Sequence, residues 1–190
     1  MRVVAGLGNP GERYRRTRHN VGFMVIDVLA ARGEVRVARD DADAWMAETE
    51  IEGQKALLVK PLSFMNRSGV PIARVMTAQA LPPSDLVVVV DDVALEIGTL
   101  RIRERGTHGG HNGLRSIIDL LGTDDFPRVR VGIREEEPPV DLAAYVLSEF
   151  LPEDVLVVQE VVGWAADAVA CLLRQGAEEA MNRYNGPRRG

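Results

Sequence analysis

The chain has one cysteine, two lysines and no long apolar run, and each shortage closes off a class of protein. With Cys171 alone, an internal disulfide is excluded and the histidines lack the cysteine company of a zinc site; the residue falls in a stretch that reads as a long helix, where a thiol behaves as a small core side chain. The longest uninterrupted aliphatic run, Leu86 to Val90, is far short of the ~20 residues that a bilayer crossing needs. The first residues pass from strand to charged loop without the apolar segment of a signal peptide, so a cytoplasmic protein without membrane contact is expected. No Gly-x-Ser-x-Gly elbow is present, and no two of the three histidines have the helical spacing of a metal-binding pair.

What is present is an ordinary globular composition, 46% hydrophobic and 27% charged over 190 residues, which fits one domain with one sizeable core. The net charge of −5 argues against a nucleic-acid partner until it is divided by segment. Residues 1–39 carry eight arginines against three acids and residues 101–134 seven against four, whereas residues 135–182 carry eleven acids and one arginine. If the first two segments share a face, that face is basic. Arginine's planar fork suits phosphates, although a biased genome gives the same shortage of lysine.

Strand patterns cover Arg2 to Ala5, 44–52, Lys55 to Lys60, Leu86 to Val90, Gly98 to Glu104 and Arg128 to Arg134, with Asp91 and Asp92 expected to end the fourth. Helical patterns follow Asn20, run from Ser68 to Ala80 and from Leu114 to Leu121, and occupy most of the chain from Asp141, with Pro152 opening a long helix and Gly176 breaking it. Asp40 to Asp43 reads as an acidic loop and residues 186–190 as a basic tail after a single domain of residues 1–185. The order of elements predicts an α/β fold, a twisted mixed sheet surrounded by helices.

The stretch GLGNPGERYRRTRHNVGF, Gly6 to Phe23, puts a glycine turn, four arginines and a histidine into eighteen residues. Gly6, Gly8 and Gly11 spell the dinucleotide pattern, but Pro10 removes an amide, and Glu12 to Arg18 has no apolar face where the phosphate-binding helix belongs. All three histidines, His19, His108 and His111, lie in glycine-rich loops. With no serine elbow, a hydrolase here activates water: a histidine supplies the base, and Asp91, at the end of a buried strand, is placed to fix its tautomer. Asn9, Asn66 and Asn112 recur beside these loops, and an amide both donates and accepts, so they suit an amide-containing substrate or an oxyanion; each alone is equally a turn or cap residue. The residues by themselves point to a histidine-dependent hydrolase or transferase with an amide-lined, arginine-rimmed cleft.

Four blocks, GLGNPGERYRRTRHNVGF, KPLSFMNRSG, DDVALEIGTLRIRERGTHGGHNGLRSI and RVRVGI, resemble the bacterial peptidyl-tRNA hydrolase family in order and spacing over nearly the whole chain. The resemblance implies hydrolysis of the ester between a peptide and the 3′ ribose of tRNA, by a monomer using no metal or other cofactor. It implies that His19 and Asp91 are catalytic, that Asn9, Asn66 and Asn112 hold the substrate with Met65 and His111 in the same cleft, that Tyr14 stands at the tRNA end, and that Arg101, Arg103, Arg115 and Arg130 contact tRNA. Ala94 stands where the family often has an acid, and Glu96-Ile97 replaces a proline-containing turn; both bear on loop shape. An RNA-binding relative with an inactive cleft is the non-enzyme alternative.

Overall fold

Successive side chains of a strand point to opposite faces, and along Val3 to Ala5 of β1 (Arg2–Gly6) and Leu86 to Val90 of β5 (Leu86–Glu96) both sets are apolar, so these stretches are covered on both sides. Val4, Val87 and Val89 pack with α1 (Val21–Arg32) and α5 (Val155–Gln175), while Val3, Ala5, Val88 and Val90 pack with α2 (Gly69–Ala78) and α3 (Asn112–Leu121). The remaining strands are β2 (Ala38–Asp40), β3 (Ala44–Ile51), β4 (Gln54–Pro61), β6 (Thr99–Arg103), β7 (Arg128–Arg134) and β8 (Gly186–Pro187); α4 (Leu142–Val146) and α6 (Ala177–Tyr184) complete the helices. The computed structural model describes residues 1–40, 42–135 and 140–188. In it the strands form one sheet of order β2-β3-β4-β1-β5-β7-β6-β8, whose central strands β4, β1, β5 and β7 are parallel and whose outer pairs are antiparallel. The expected mixed α/β architecture is therefore observed, with helices on both faces.

Three boundaries differ from the sequence expectation, each because of a neighbouring strand. Asp91 and Asp92 do not end β5: β7 runs alongside and keeps it paired to Glu96, with a bulge after Asp92. Asp40 is the last residue of β2, paired with Ala44, instead of the start of an acidic loop, and Asp41 lies outside the described residues. The start of the basic tail is pinned: Gly186 and Pro187 pair with Leu100 and Thr99, Asn185 Oδ1 accepts from the Ile102 amide at 2.5 Å, and Arg188 meets Glu160 at 2.6 Å. An edge strand offers unpaired amides and carbonyls, and this segment fills those of β6. Residues 189 and 190 lie outside the described set.

By length and composition the stretch Pro152–Gln175 is apolar enough to cross a membrane. Here its Val158, Val161, Val162, Ala165, Val169 and Leu172 are buried against the sheet. Cys171 is buried among them, and burial pushes its thiol pKa up, so it is a core residue as expected.

Candidate active site

The parallel strands direct their carboxyl ends to one edge of the sheet, where ligand sites of open α/β sheets form. The loop after β1 is held at that edge by contact between glycines. A Cβ on Gly22 would lie 2.5 Å from both Leu7 N and Val89 O, and one on Gly6 would lie 2.1 Å from Gly22 O, so the start of α1 crosses directly against the ends of β1 and β5. The 3₁₀ turn Arg18–Asn20 immediately before α1 thereby sits above β5. The glycine run serves this close packing; α1 begins only at Val21, so its N-terminal amides do not face the glycine turn as a dinucleotide site requires.

Asp91 lies two residues beyond Val89, the partner of the last residue of β1, and is only 4% exposed. His19 Nδ1 stands 2.7 Å from Asp91 Oδ1, and His111 Nε2 stands 3.0 Å from the same oxygen. His111 is the N-cap of α3: its Nδ1 accepts from the Leu114 amide at 3.2 Å. An amide only donates, so that nitrogen is unprotonated and His111 presents Nε2–H to the carboxylate. His19 donates Nδ1–H to it likewise, which leaves its Nε2, without a partner among the described residues, as the free lone pair. Burial pushes the Asp91 carboxyl pKa up, but its electrostatic interactions and hydrogen bonds with His111 and His19 outweigh this and hold it well below the ordinary carboxylate range.

These three side chains also have the ligand types of a metal site, their nearest ligating atoms all within 4.8 Å of one another. The spacing is that of hydrogen bonds. Two ligands of one tetrahedral ion, each about 2.1 Å from it, sit roughly 3.4 Å apart. The imidazole–carboxylate separations of 2.7 and 3.0 Å are shorter than that.

His19, Asp91, His111, Asn112 and Arg130 line a cavity of about 290 Å³, together with Leu142 and Val146 of α4. Asn9 is buried beside it: its backbone N–H donates to Asn20 Oδ1 at 2.8 Å, its carbonyl accepts from Asn20 Nδ2 at 3.0 Å, and its own Oδ1 accepts from the Met65 amide at 2.9 Å. That arrangement leaves Asn9 Nδ2 as the unspent donor. Met65 is buried, and a Cβ on Gly113 would meet its sulfur at 2.7 Å, so the loops carrying Asn66 and Asn112 adjoin. Asn66 and Asn112 are exposed and make no side-chain hydrogen bond among the described residues; the cap of α3 is His111, so Asn112 is free of that duty. Tyr14 stacks under Arg13, 4.5 Å from guanidinium carbon to ring centroid, and meets exposed Phe64 edge-on at 6.5 Å. His108 accepts from the Gly110 amide through Nδ1 and shapes its own loop.

The arginines separate into two kinds. Arg101 and Arg103 are exposed on β6 and Arg115 is exposed on α3; among the described residues none of the three has an acidic partner. Arg130 lies opposite Arg101 across the β6–β7 pair but is held under the 106–110 loop, 3.1 Å from Asp92 Oδ2 and 3.2 Å from Thr107 O. Two further arginines, not singled out from sequence, are structural. Arg128 is buried and donates to the carbonyls of Phe126, Gly106 and Asp124. Arg18, next to His19, is 2% exposed and reaches Glu135, the Ser148 hydroxyl and the Glu149 carbonyl, beneath the rings of Tyr145 and Phe150. Its Nε is buried without a partner among the described residues. Arg18 thus clamps the segment carrying α4 onto the turn carrying His19. Asn20, which fixes both backbone groups of Asn9, was likewise hidden in sequence behind its position at a helix start.

The family profile described as peptidyl-tRNA hydrolase matches residues 3–190. Peptidyl-tRNA hydrolase of Caldanaerobacter subterraneus subsp. tengcongensis is 46% identical over 98% of this chain and 100% of its own length, and that of Roseiflexus castenholzii is 48% identical over 98% and 88%. The crystal structure of peptidyl-tRNA hydrolase from Acinetobacter baumannii superposes with a TM-score of 0.90 at 28% identity, covering 97% of this chain and 96% of that one. Full-length similarity in sequence and in fold makes this chain a member of the peptidyl-tRNA hydrolase family.

Proposed function

We propose that this protein hydrolyses the ester joining the C-terminal carbonyl of a peptide to the 3′ ribose of tRNA, with His19 as general base and Asp91 as its orienting partner. The observation that carries the reading is the free Nε2 of His19, facing a cavity while Nδ1 is tied to a buried, ionised carboxylate. Water held at Nε2 gives up a proton as its oxygen bonds to the ester carbonyl carbon. On collapse the carbon–ribose oxygen bond breaks and the imidazolium returns the proton to the ribose oxygen, leaving tRNA and a free peptide. An ester of this kind is already an activated acyl group, so a positioned water suffices and no covalent intermediate is needed.

The asparagine amides take the other parts: Asn9 through its unspent Nδ2, and Asn66 and Asn112 through side chains without hydrogen-bond partners among the described residues, hold the peptide's amides and the charge that develops on the carbonyl oxygen. His111, which shares the Asp91 oxygen, fixes the carboxylate, and Met65 walls the cleft. Tyr14 stands at the tRNA end. Arg101, Arg103 and Arg115 offer phosphates guanidinium groups that have no acidic partner among the described residues, while Arg130 acts closer to the cleft through Asp92. The family resemblance and the lone buried thiol support a monomer acting in the cytoplasm. Incubating the protein with N-acetylated aminoacyl-tRNA and with free aminoacyl-tRNA tests the function: release of tRNA from the blocked substrate and slow release from the free one is expected, and release from neither refutes it.

A further inference from the structure

A second cavity, of about 400 Å³, is lined by Asn9, Asn20, Phe23, Trp45 and Lys60, with Asp27 and Arg15 also on its lining. It abuts the candidate active site: His19 lines one cavity, Asn20 lines the other, and Asn9 is hydrogen-bonded to Asn20 between them. The cavity contains a built charge. The Lys60 side chain is only 5% exposed, paired with Asp27, whose carboxylate is 61% exposed. Its ammonium lies 5.3 Å from the Phe23 ring centroid and 6.0 Å from that of Trp45, itself 36% exposed. Burial lowers the Lys60 pKa, and Asp27 opposes that shift. The catalytic chemistry uses neither Lys60, Asp27, Phe23 nor Trp45.

Sheet order says which part of the substrate lies there. The exposed arginines Arg101 and Arg103 are on β6, beyond β7 on one side of the β1–β5 pair that carries the reacting loops; Trp45 and Lys60 are on β3 and β4, on the opposite side of it. With RNA phosphates on the β6 side and the ester at His19, the peptide leaves toward β4. The lining fits that occupant: aromatic and aliphatic walls, two carboxylates (Glu12 and Asp27) balanced by two cations (Arg15 and Lys60), and the amides of Asn9 and Asn20 suit a peptide backbone with mixed side chains, whereas a lining with no net positive charge does not draw a run of phosphates. We propose that this cavity is a subsite for the peptide residues upstream of the one esterified to tRNA, with Trp45 as an apolar platform and Lys60 as a buried donor at its floor. The proposal rests on the hydrolase reading above.

The test compares two substrates in Trp45→Ala and Lys60→Met: N-acetyl-aminoacyl-tRNA, which has no upstream residue, and N-acetyl-tripeptidyl-tRNA, which has two. The expected result is a kcat/KM on the short substrate within about twofold of wild type, with a loss of about tenfold on the long one that falls on KM, as loss of one aromatic or charged contact implies. Equal losses on the two substrates, or none on either, overturn the subsite. If the wild-type protein hydrolyses neither, the hydrolase reading falls and the subsite with it.

Discussion

Replacing Arg18 by alanine should unlatch the segment over the active site while leaving the sheet folded. The guanidinium pairs with Glu135, donates to Ser148 Oγ at 2.6 Å and to the Glu149 carbonyl, and lies 4.4 and 5.3 Å from the Tyr145 and Phe150 ring centroids. Breaking a fully buried ion pair costs about 3–5 kcal/mol. Glu135 is 32% exposed and regains water once its partner is gone, and Ser148 keeps its bond to the Tyr145 carbonyl, so the low end of that range applies. A loss of about 3 kcal/mol shifts a local opening equilibrium by roughly 10²-fold. Amide hydrogen exchange reads it directly: amides of Tyr145 and Ser148 should exchange about 10²-fold faster in Arg18→Ala, while those of α2, packed on the far side of the sheet, keep wild-type protection. Hydrolysis should weaken as well, because Leu142 and Val146 line the cavity and the same side chain neighbours His19. Unchanged exchange at residues 142–149 would refute the clamp.

Arg101→Glu, Arg103→Glu and Arg115→Glu should each weaken binding of different tRNAs alike and lower the salt slope, because phosphate contacts position an RNA without reading it; wild-type affinity and slope in all three remove the basic-surface assignment. Arg130→Glu should cost hydrolysis more than binding, since it places a second acid against Asp92. Asn9→Ala or Asn112→Ala should impair hydrolysis of peptidyl substrates well beyond any loss of affinity for tRNA alone, and equal losses in both assays would reduce them to loop residues. For Asp91→Asn the sign of the pH effect is fixed by a depressed carboxyl: the stabilisation it gives is fully present above the ordinary value near pH 4 and is lost as pH falls toward the lower native value. Urea unfolding of the wild type and Asp91→Asn should therefore differ by a constant amount from about pH 5 to 8 and converge below, and a gap that widens on acidification contradicts the assigned charge state.

What was legible in the sequence is what repeats or stands out locally. The valines of Leu86 to Val90 announce a strand buried on both faces, and a histidine inside a glycine loop between strand and helix announces a site. What escaped depends on partners far along the chain. Arg13, Arg15, Arg16 and Arg18 look alike in a row, yet only Arg18 is buried, because residues 135 and 148–149 fold back over it. Arg128 and Arg130 alternate identically, but Arg128 is buried among the carbonyls of Gly106, Asp124 and Phe126, whereas Arg130 pairs with Asp92. The Gly186-Pro187 pair has no strand character of its own and becomes β8 only because β6 needs an edge partner. Lys60 reads as the last residue of a hairpin strand, and nothing local shows that Phe23 and Trp45 close around it.

The central claim is that Nε2 of His19 takes the proton from the attacking water. Release of tRNA from N-acetyl-aminoacyl-tRNA, measured under single turnover for the wild type and for His19→Ala with tRNA binding followed in parallel, tests it most directly. A loss of about a hundredfold or more with affinity for tRNA retained is the predicted result, since a positioned general base contributes roughly 10²–10⁴-fold. Wild-type turnover by His19→Ala would contradict it.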